Sequence, residues 1–225
     1  MGGYNAGEVA SAMATTFIRT ELGRWMSEGG HEASARELKR AMEICIDNAN
    51  RSIFNAANSN AQYAGMGTTL VMGVFHGARA MIGHVGDSRC YRLRTGSFVQ
   101  ITRDHSLLQE QIDAGLISLE QAQYATHKNL VTRALGVEDT VLLEVNEYRV
   151  EDEDLYLFCS DGLSDMMSDE RIAAILVTAG TLEEKAQALV DGANDCGGRD
   201  NISVILAYAR SKPIRKGLLS RMLGK

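Results

Sequence analysis

The segment Leu155-Tyr156-Leu157-Phe158-Cys159-Ser160-Asp161-Gly162 decides how the rest of the chain is read. Five apolar residues in a row predict a buried strand, and the run ends abruptly on a carboxylate followed by glycine. Such an ending plants a charged oxygen ligand at the rim of a core. Gly162 allows a sharp turn and the close approach of another group. An ordinary strand-ending turn uses the same residue types, because Asp and Gly are frequent turn formers. A second segment, Gly197-Gly198-Arg199-Asp200-Asn201-Ile202-Ser203-Val204-Ile205-Leu206, shifts the balance. There a glycine-rich turn carries Asp200 straight into another apolar strand. Two carboxylates at the edges of two core strands can converge on a hard cation, which prefers oxygen ligands.

Outward from this pair, the chain begins with helices. Val9, Met13, Phe17, Ile18, Leu22, Trp25 and Met26 recur at three- and four-residue intervals and predict one apolar helical face, ended by Gly29-Gly30. A second helix over residues 34–57 carries Leu38, Met42, Ile46, Ile53 and Phe54 as its stripe. Ser34 and Glu37 form a capping-box pattern at its start. From Gly65 the texture changes to short strands over residues 68–75, 78–84, 90–93 and 98–101. Gly77, Gly86 and Gly96 bound them, as in antiparallel hairpins. Residues 107–114 read as a short helix. The polar, aperiodic segment 115–128 reads as a surface flap, of a length that often carries function. Strands return at 142–150 and 155–158 around an acidic turn, Glu151 to Asp154. Helices over 170–177 and 182–193 and a closing strand over 202–207 complete the chain.

This order does not fit a doubly wound parallel sheet. Gly86-Asp87-Ser88-Arg89 also lacks the lysine and spacing of a nucleotide-binding loop. The expected fold is α+β, a central antiparallel β-sandwich with helices on its outer faces. The chain has 225 residues, 45% apolar and 23% charged, enough for one substantial core. A net charge of −6 gives no electrostatic footprint for nucleic acid. Cys45, Cys90, Cys159 and Cys196 are widely spaced, which fits reduced thiols in a cytoplasmic protein better than disulfides or a zinc site. No apolar run predicts stable membrane insertion, and nothing at the start reads as a signal peptide. Residues 211–225 hold five basic residues and the single proline, and read as a basic tail on a domain spanning 1–210.

Four acidic positions fall at strand ends: Asp87, Asp161, Asp165 and Asp200. Asp161 and Asp165 are four residues apart, so one helical turn places both carboxylates on the same face. Each alone reads equally well as a turn or cap residue. Together they point to a metal cluster. Met66-Gly67-Thr68-Thr69, Gly86-Asp87-Ser88-Arg89, Asp104-His105-Ser106, Thr132-Arg133-Ala134-Leu135-Gly136, Ser160-Asp161-Gly162 and Gly198-Arg199-Asp200-Asn201 follow one another along almost the whole chain. The series resembles the metal-dependent Ser/Thr protein phosphatases of type 2C, the PPM family, and above all its compact bacterial members.

The resemblance implies a β-sandwich flanked by helices with a binuclear Mn2+ or Mg2+ centre in a cleft at one edge. It also implies in-line attack of a metal-bridging water on phosphoserine or phosphothreonine of proteins phosphorylated by a cognate Ser/Thr kinase. By motif position, Asp161 and Asp200 would ligate the catalytic ions. Asp87 would ligate a weaker third ion, with Asp165 contributing to that site. Asn201 and Arg199 would support Asp200, Thr68 would neighbour the third site, and Asn129 would contact substrate where the flap meets the cleft.

The opening of the chain departs from the family pattern. Family members begin with a strand carrying Arg and Asn-Glu-Asp or Asn-Gln-Asp, then a strand ending in Asp-Gly-Met-Gly-Gly and followed by Ala-Gly-Glu-x-Ala-Ser. Here Met1-Gly2-Gly3 starts within that second motif, and Ala6-Gly7-Glu8-Val9-Ala10-Ser11 follows. The bridging Asp and the phosphate-binding Arg have no counterpart. The expectation is a domain truncated at its N-terminus, with exposed sheet edges. Asp161 and Asp200 alone do not bridge two ions. Three readings follow: an active phosphatase begun at an internal Met, a fragment of one, or a catalytically inactive phosphatase-like binding module. The intact remaining motifs favour the first.

Overall fold

The computed structural model describes residues 6–122 and 130–210. Two long helices come first, α1 (Gly7–Ser27) and α2 (Ala35–Ser59). The predicted capping box is present, with the Glu37 amide donating to Ser34 Oγ and the Ser34 amide to the Glu37 carboxylate. Strands β1 (Leu70–His76), β2 (Arg79–Val85), β3 (Arg89–Arg94) and β4 (Ser97–Gln100) follow. After the short helices α3 (Leu107–Asp113) and α4 (Leu119–Ala122) come β5 (Glu144–Arg149) and β6 (Leu155–Cys159). Helices α5 (Asp161–Ser164), α6 (Asp169–Leu176) and α7 (Leu182–Asp195) lead to β7 (Val204–Tyr208).

Every strand pairing is antiparallel, in two sheets ordered β1-β2-β5 and β4-β3-β6-β7. The α+β sandwich expected from the sequence is the observed one. Strand β6 shows why its sequence is unbroken apolar rather than alternating. Leu155, Leu157 and Cys159 pack against α5, α6 and α7, whereas Tyr156 and Phe158, with Cys90 of the neighbouring β3, face Ala80 and Ile82 of the opposite sheet. A strand covered on both faces has no side to give to water. Strand β2 mirrors it: Ala80 and Ile82 point into the sandwich, Met81 and Val85 towards α1 and α2. The sheets approach closely at Gly73, where a Cβ would lie 2.7 Å from the Phe158 ring.

One expectation is corrected. The buried face of α1 is Ala10, Ala14, Ile18 and Leu22, while Val9, Met13, Phe17, Trp25 and Met26 are only partly covered. Small alanines let α1 lie close on α2, and periodicity weighted by large side chains misses them. The acidic turn between β5 and β6 carries one inward-facing charge. Asp154 is fully buried. It accepts from Arg94 Nε at 2.6 Å and Nη2 at 2.7 Å, from the Glu151 amide at 2.8 Å and from the Tyr156 hydroxyl at 3.2 Å. The basic tail at 211–225 and flap residues 123–129 lie outside the described residues.

Candidate metal centre

Asp161 stands where β6 stops. Ser160 is extended, and the Asp165 amide donates to the Asp161 carbonyl at 2.8 Å, closing a single helical turn. Asp161 Oδ1 accepts from the Gly162 amide at 2.9 Å, and Asp200 Oδ1 accepts from the Asn201 amide at 2.7 Å. Ser160 ties the two loops together. Its hydroxyl donates to the Asn201 carbonyl at 2.9 Å and accepts from the Ser203 amide at 3.0 Å, while its own amide donates to the Ser203 carbonyl at 3.1 Å. Gly162 is required by this contact. A Cβ on it would sit 2.4 Å from the Asn201 carbonyl oxygen, so only glycine lets the two loops touch backbone to backbone.

Asp87 arrives from the other sheet. The chain leaves β2 through Gly86 at φ 100°, a conformation that favours glycine, and a Cβ there would meet Thr69 Cγ2 at 2.5 Å. Asp87 is 9% exposed. Beside it, the Arg89 guanidinium grips Asp104: Nε lies 3.0 Å from each carboxylate oxygen and Nη2 2.7 Å from Oδ2. Gln100 donates to the same carboxylate at 2.8 Å and Arg89 Nη1 to the Tyr91 hydroxyl at 3.0 Å. Arg89 is thereby committed, leaving the aspartates around it without a cation of their own among the described residues.

A cavity of about 150 Å³ opens between these elements, with Asp87, Arg89, Asp104, Asp161, Ser164 and Asp165 in its wall. Burial, and then the charges of Asp161, Asp104 and Asp165, push the Asp87 carboxyl up to about 6. Asp161 is also raised, by burial first and then by Asp200 and Asp165. Carboxylates crowded and partly desolvated in this way resist ionising unless a cation joins them. The donor set is entirely oxygen, as hard divalent ions require. The buried Ser164 hydroxyl has no hydrogen-bond partner among the described residues and adds one more free oxygen in the wall. The residues therefore fit Mn2+ or Mg2+.

Of the candidates from sequence, Asp87, Asp161 and Asp165 share the cavity, and Asp200 meets Asp161 across the Gly162–Asn201 contact. Asn201 holds Asp200 through its backbone amide. Arg199 is exposed and forms no ion pair among the described residues. Thr68 bridges Leu135, and its hydroxyl donates to the Thr69 carbonyl at 3.1 Å; Thr69 is the residue that touches Ser88 and packs on Gly86. Asn129 lies outside the described residues. Sequence reasoning gave no role to Ser160 or to the Arg89–Asp104 pair. The one available signal was their place inside motifs already singled out.

The sequence matches the family model described as protein phosphatase 2C over residues 1–201. The chain belongs to the protein phosphatase 2C family. This family comprises metal-dependent protein phosphatases, and the fold and donor set of the present chain agree with it. The serine/threonine phosphatase stp of Listeria innocua is 39% identical over 206 residues, covering 92% of this chain and 80% of that protein. The serine/threonine phosphatase of S. agalactiae superposes with a TM-score of 0.84 at 36% identity, covering 93% of this chain and 84% of the other. The catalytic domain of the serine/threonine phosphatase PstP, solved in complex with two manganese ions, gives 0.79 at 33% identity, over 94% and 85% of the two chains. Among the described residues of this protein phosphatase 2C chain, no helix is long and apolar enough to cross a membrane.

Proposed function

We propose that the chain hydrolyses phosphoserine and phosphothreonine on proteins, opposing a Ser/Thr kinase, with Mn2+ or Mg2+ held by Asp161 and Asp200 and a further, weaker ion held by Asp87 and Asp165. The observation that carries this reading is the locked pair of loops at Gly162 and Asn201, which fixes Asp161 and Asp200 side by side next to the cavity shared by Asp87 and Asp165. Bound divalent ions supply the chemistry by lowering the pKa of a water and neutralising charge on the phosphoryl oxygens. The protein's own part is to hold the ligands. Ser160 sets the spacing of the two loops, and Arg89 holds Asp104 in place in the cavity wall. Asn129 is the proposed substrate contact, and Arg199 with Asn201 the support of Asp200.

The test is Mn2+-dependent release of phosphate from a phosphothreonine peptide, alongside Asp161→Asn. The parent is expected to be active and the variant at least about 100-fold slower, the scale of losing one electrostatic partner of the transition state. A folded parent that binds Mn2+ but releases no phosphate would sink the reading in favour of a phosphoprotein-binding module.

A further inference from the structure

His84, His105 and Glu144 form a second polar cluster, behind Asp87 rather than in the cavity. Their ligand-type atoms lie within 4.8 Å of one another, and both histidines are buried. The composition suits a transition-metal site, but the hydrogen bonds argue against one. His105 Nδ1 accepts from the Gly86 amide at 3.2 Å, and a backbone N–H can only donate. Nδ1 is therefore unprotonated, and the ring proton sits on Nε2, 3.2 Å from Glu144 Oε2. That leaves His105 no free lone pair to give a cation. His84 Nε2, 2.7 Å from the Arg103 carbonyl, is likewise a donor, and its ring stacks on His105 with centroids 4.5 Å apart.

The cluster is a relay of hydrogen bonds ending on one peptide group. Glu144 fixes the tautomer of His105, and His84 fixes its plane. His105 then clamps Gly86 twice, through Nδ1 to the amide and through its own backbone N–H to the Gly86 carbonyl at 3.0 Å. Gly86 has no side chain to hold it and leaves no room for one against Thr69. Its amide and carbonyl are the only hydrogen-bonding groups that Gly86 offers, and the next residue is Asp87.

We propose that His105 is a positioning residue for Asp87, setting the direction in which that carboxylate enters the cavity by fixing the Gly86 peptide from behind. The inference rests on the assignment of Asp87 as a metal ligand. Groups that orient metal ligands in this way change affinity by roughly 10- to 100-fold when removed.

The experiment is a Mn2+ titration followed by the paramagnetic resonance of free Mn2+, with no turnover required, on the parent, Asp87→Asn, His105→Leu and His105→Asn. The Asn amide oxygen can occupy the place of Nδ1 and accept from Gly86; Leu fills the volume without an acceptor. Hydrogen exchange at the Gly86 amide is read on the same proteins. Asp87→Asn is expected to remove the weakest Mn2+ site. His105→Leu is expected to weaken that same site by about tenfold and speed Gly86 exchange, while His105→Asn stays within about threefold of the parent. If Asp87→Asn leaves the titration unchanged, the ligand assignment fails and the inference falls with it. If Asp87→Asn removes the site but His105→Leu leaves it intact, or His105→Asn weakens it as much as His105→Leu, the inference alone is overturned.

Discussion

Replacing Asp87 by asparagine should make the metal-free protein more stable while removing a proposed metal ligand. The carboxyl is 9% exposed, and burial together with the charges of Asp161, Asp104 and Asp165 raises it from 3.8 to about 6. A difference of that size corresponds to roughly 3 kcal/mol against the ionised form. The sign follows from linkage. A carboxyl whose folded pKa lies above its unfolded value contributes stability below about pH 4, and that contribution is lost as the pH rises through about 6. At pH 7.5 in EDTA the parent therefore carries the full penalty and Asp87→Asn does not. The variant should gain on the order of 2–3 kcal/mol in urea unfolding, or roughly 5–10 °C in Tm for a domain of this size. At about pH 3, below both pKa values, the two should unfold together, because Asp87 is then largely neutral in both states. In saturating Mn2+ the advantage of the variant should shrink or reverse, since both proteins keep the ions proposed for Asp161 and Asp200 but only the parent gains from the further ion proposed for Asp87. An Asp87→Asn protein no more stable than the parent at pH 7.5, or one whose full advantage persists at about pH 3, would overturn this account of Asp87.

Gly162→Ala places a Cβ 2.4 Å from the Asn201 carbonyl, so it should cost about 1–3 kcal/mol in urea unfolding and weaken Mn2+ binding by separating the Asp161 and Asp200 loops. Asn50→Ala removes the buried amide that accepts from the Gly136 amide at 2.7 Å and donates to the Glu138 carbonyl at 3.0 Å; about 1–3 kcal/mol should be lost, with little change in metal affinity. Asp154→Asn breaks the bidentate grip of Arg94 on a fully buried carboxylate and should destabilise by about 3 kcal/mol at neutral pH. Burial opposes ionisation of Asp154, but Arg94 and the Glu151 amide outweigh it and hold its pKa below the usual value. The carboxylate's contribution should therefore be present above about pH 4 and fade as the pH falls through its lowered folded pKa, closing the gap to Asp154→Asn in acid-unfolding curves.

The strands and their layer are legible in the local pattern of residues. The unbroken apolar run at β6 reports that both faces of the strand are covered, a local property written in consecutive residues. The capping box at Ser34 and Glu37 and the Asp161-to-Asp165 turn are equally local, spanning one helical turn. Tertiary structure alone decided matters that depend on residues far apart in the chain. Gly162 must be glycine because Asn201 presses on it, and Asp154 is buried because Arg94 arrives from β3. The covered side of α1 is set by α2, and His105 holds Gly86 from a loop nineteen positions away. Pattern reading sees period and polarity along the chain. It cannot see which backbone atoms come within hydrogen-bonding distance once two sheets close, and those contacts aim the aspartates.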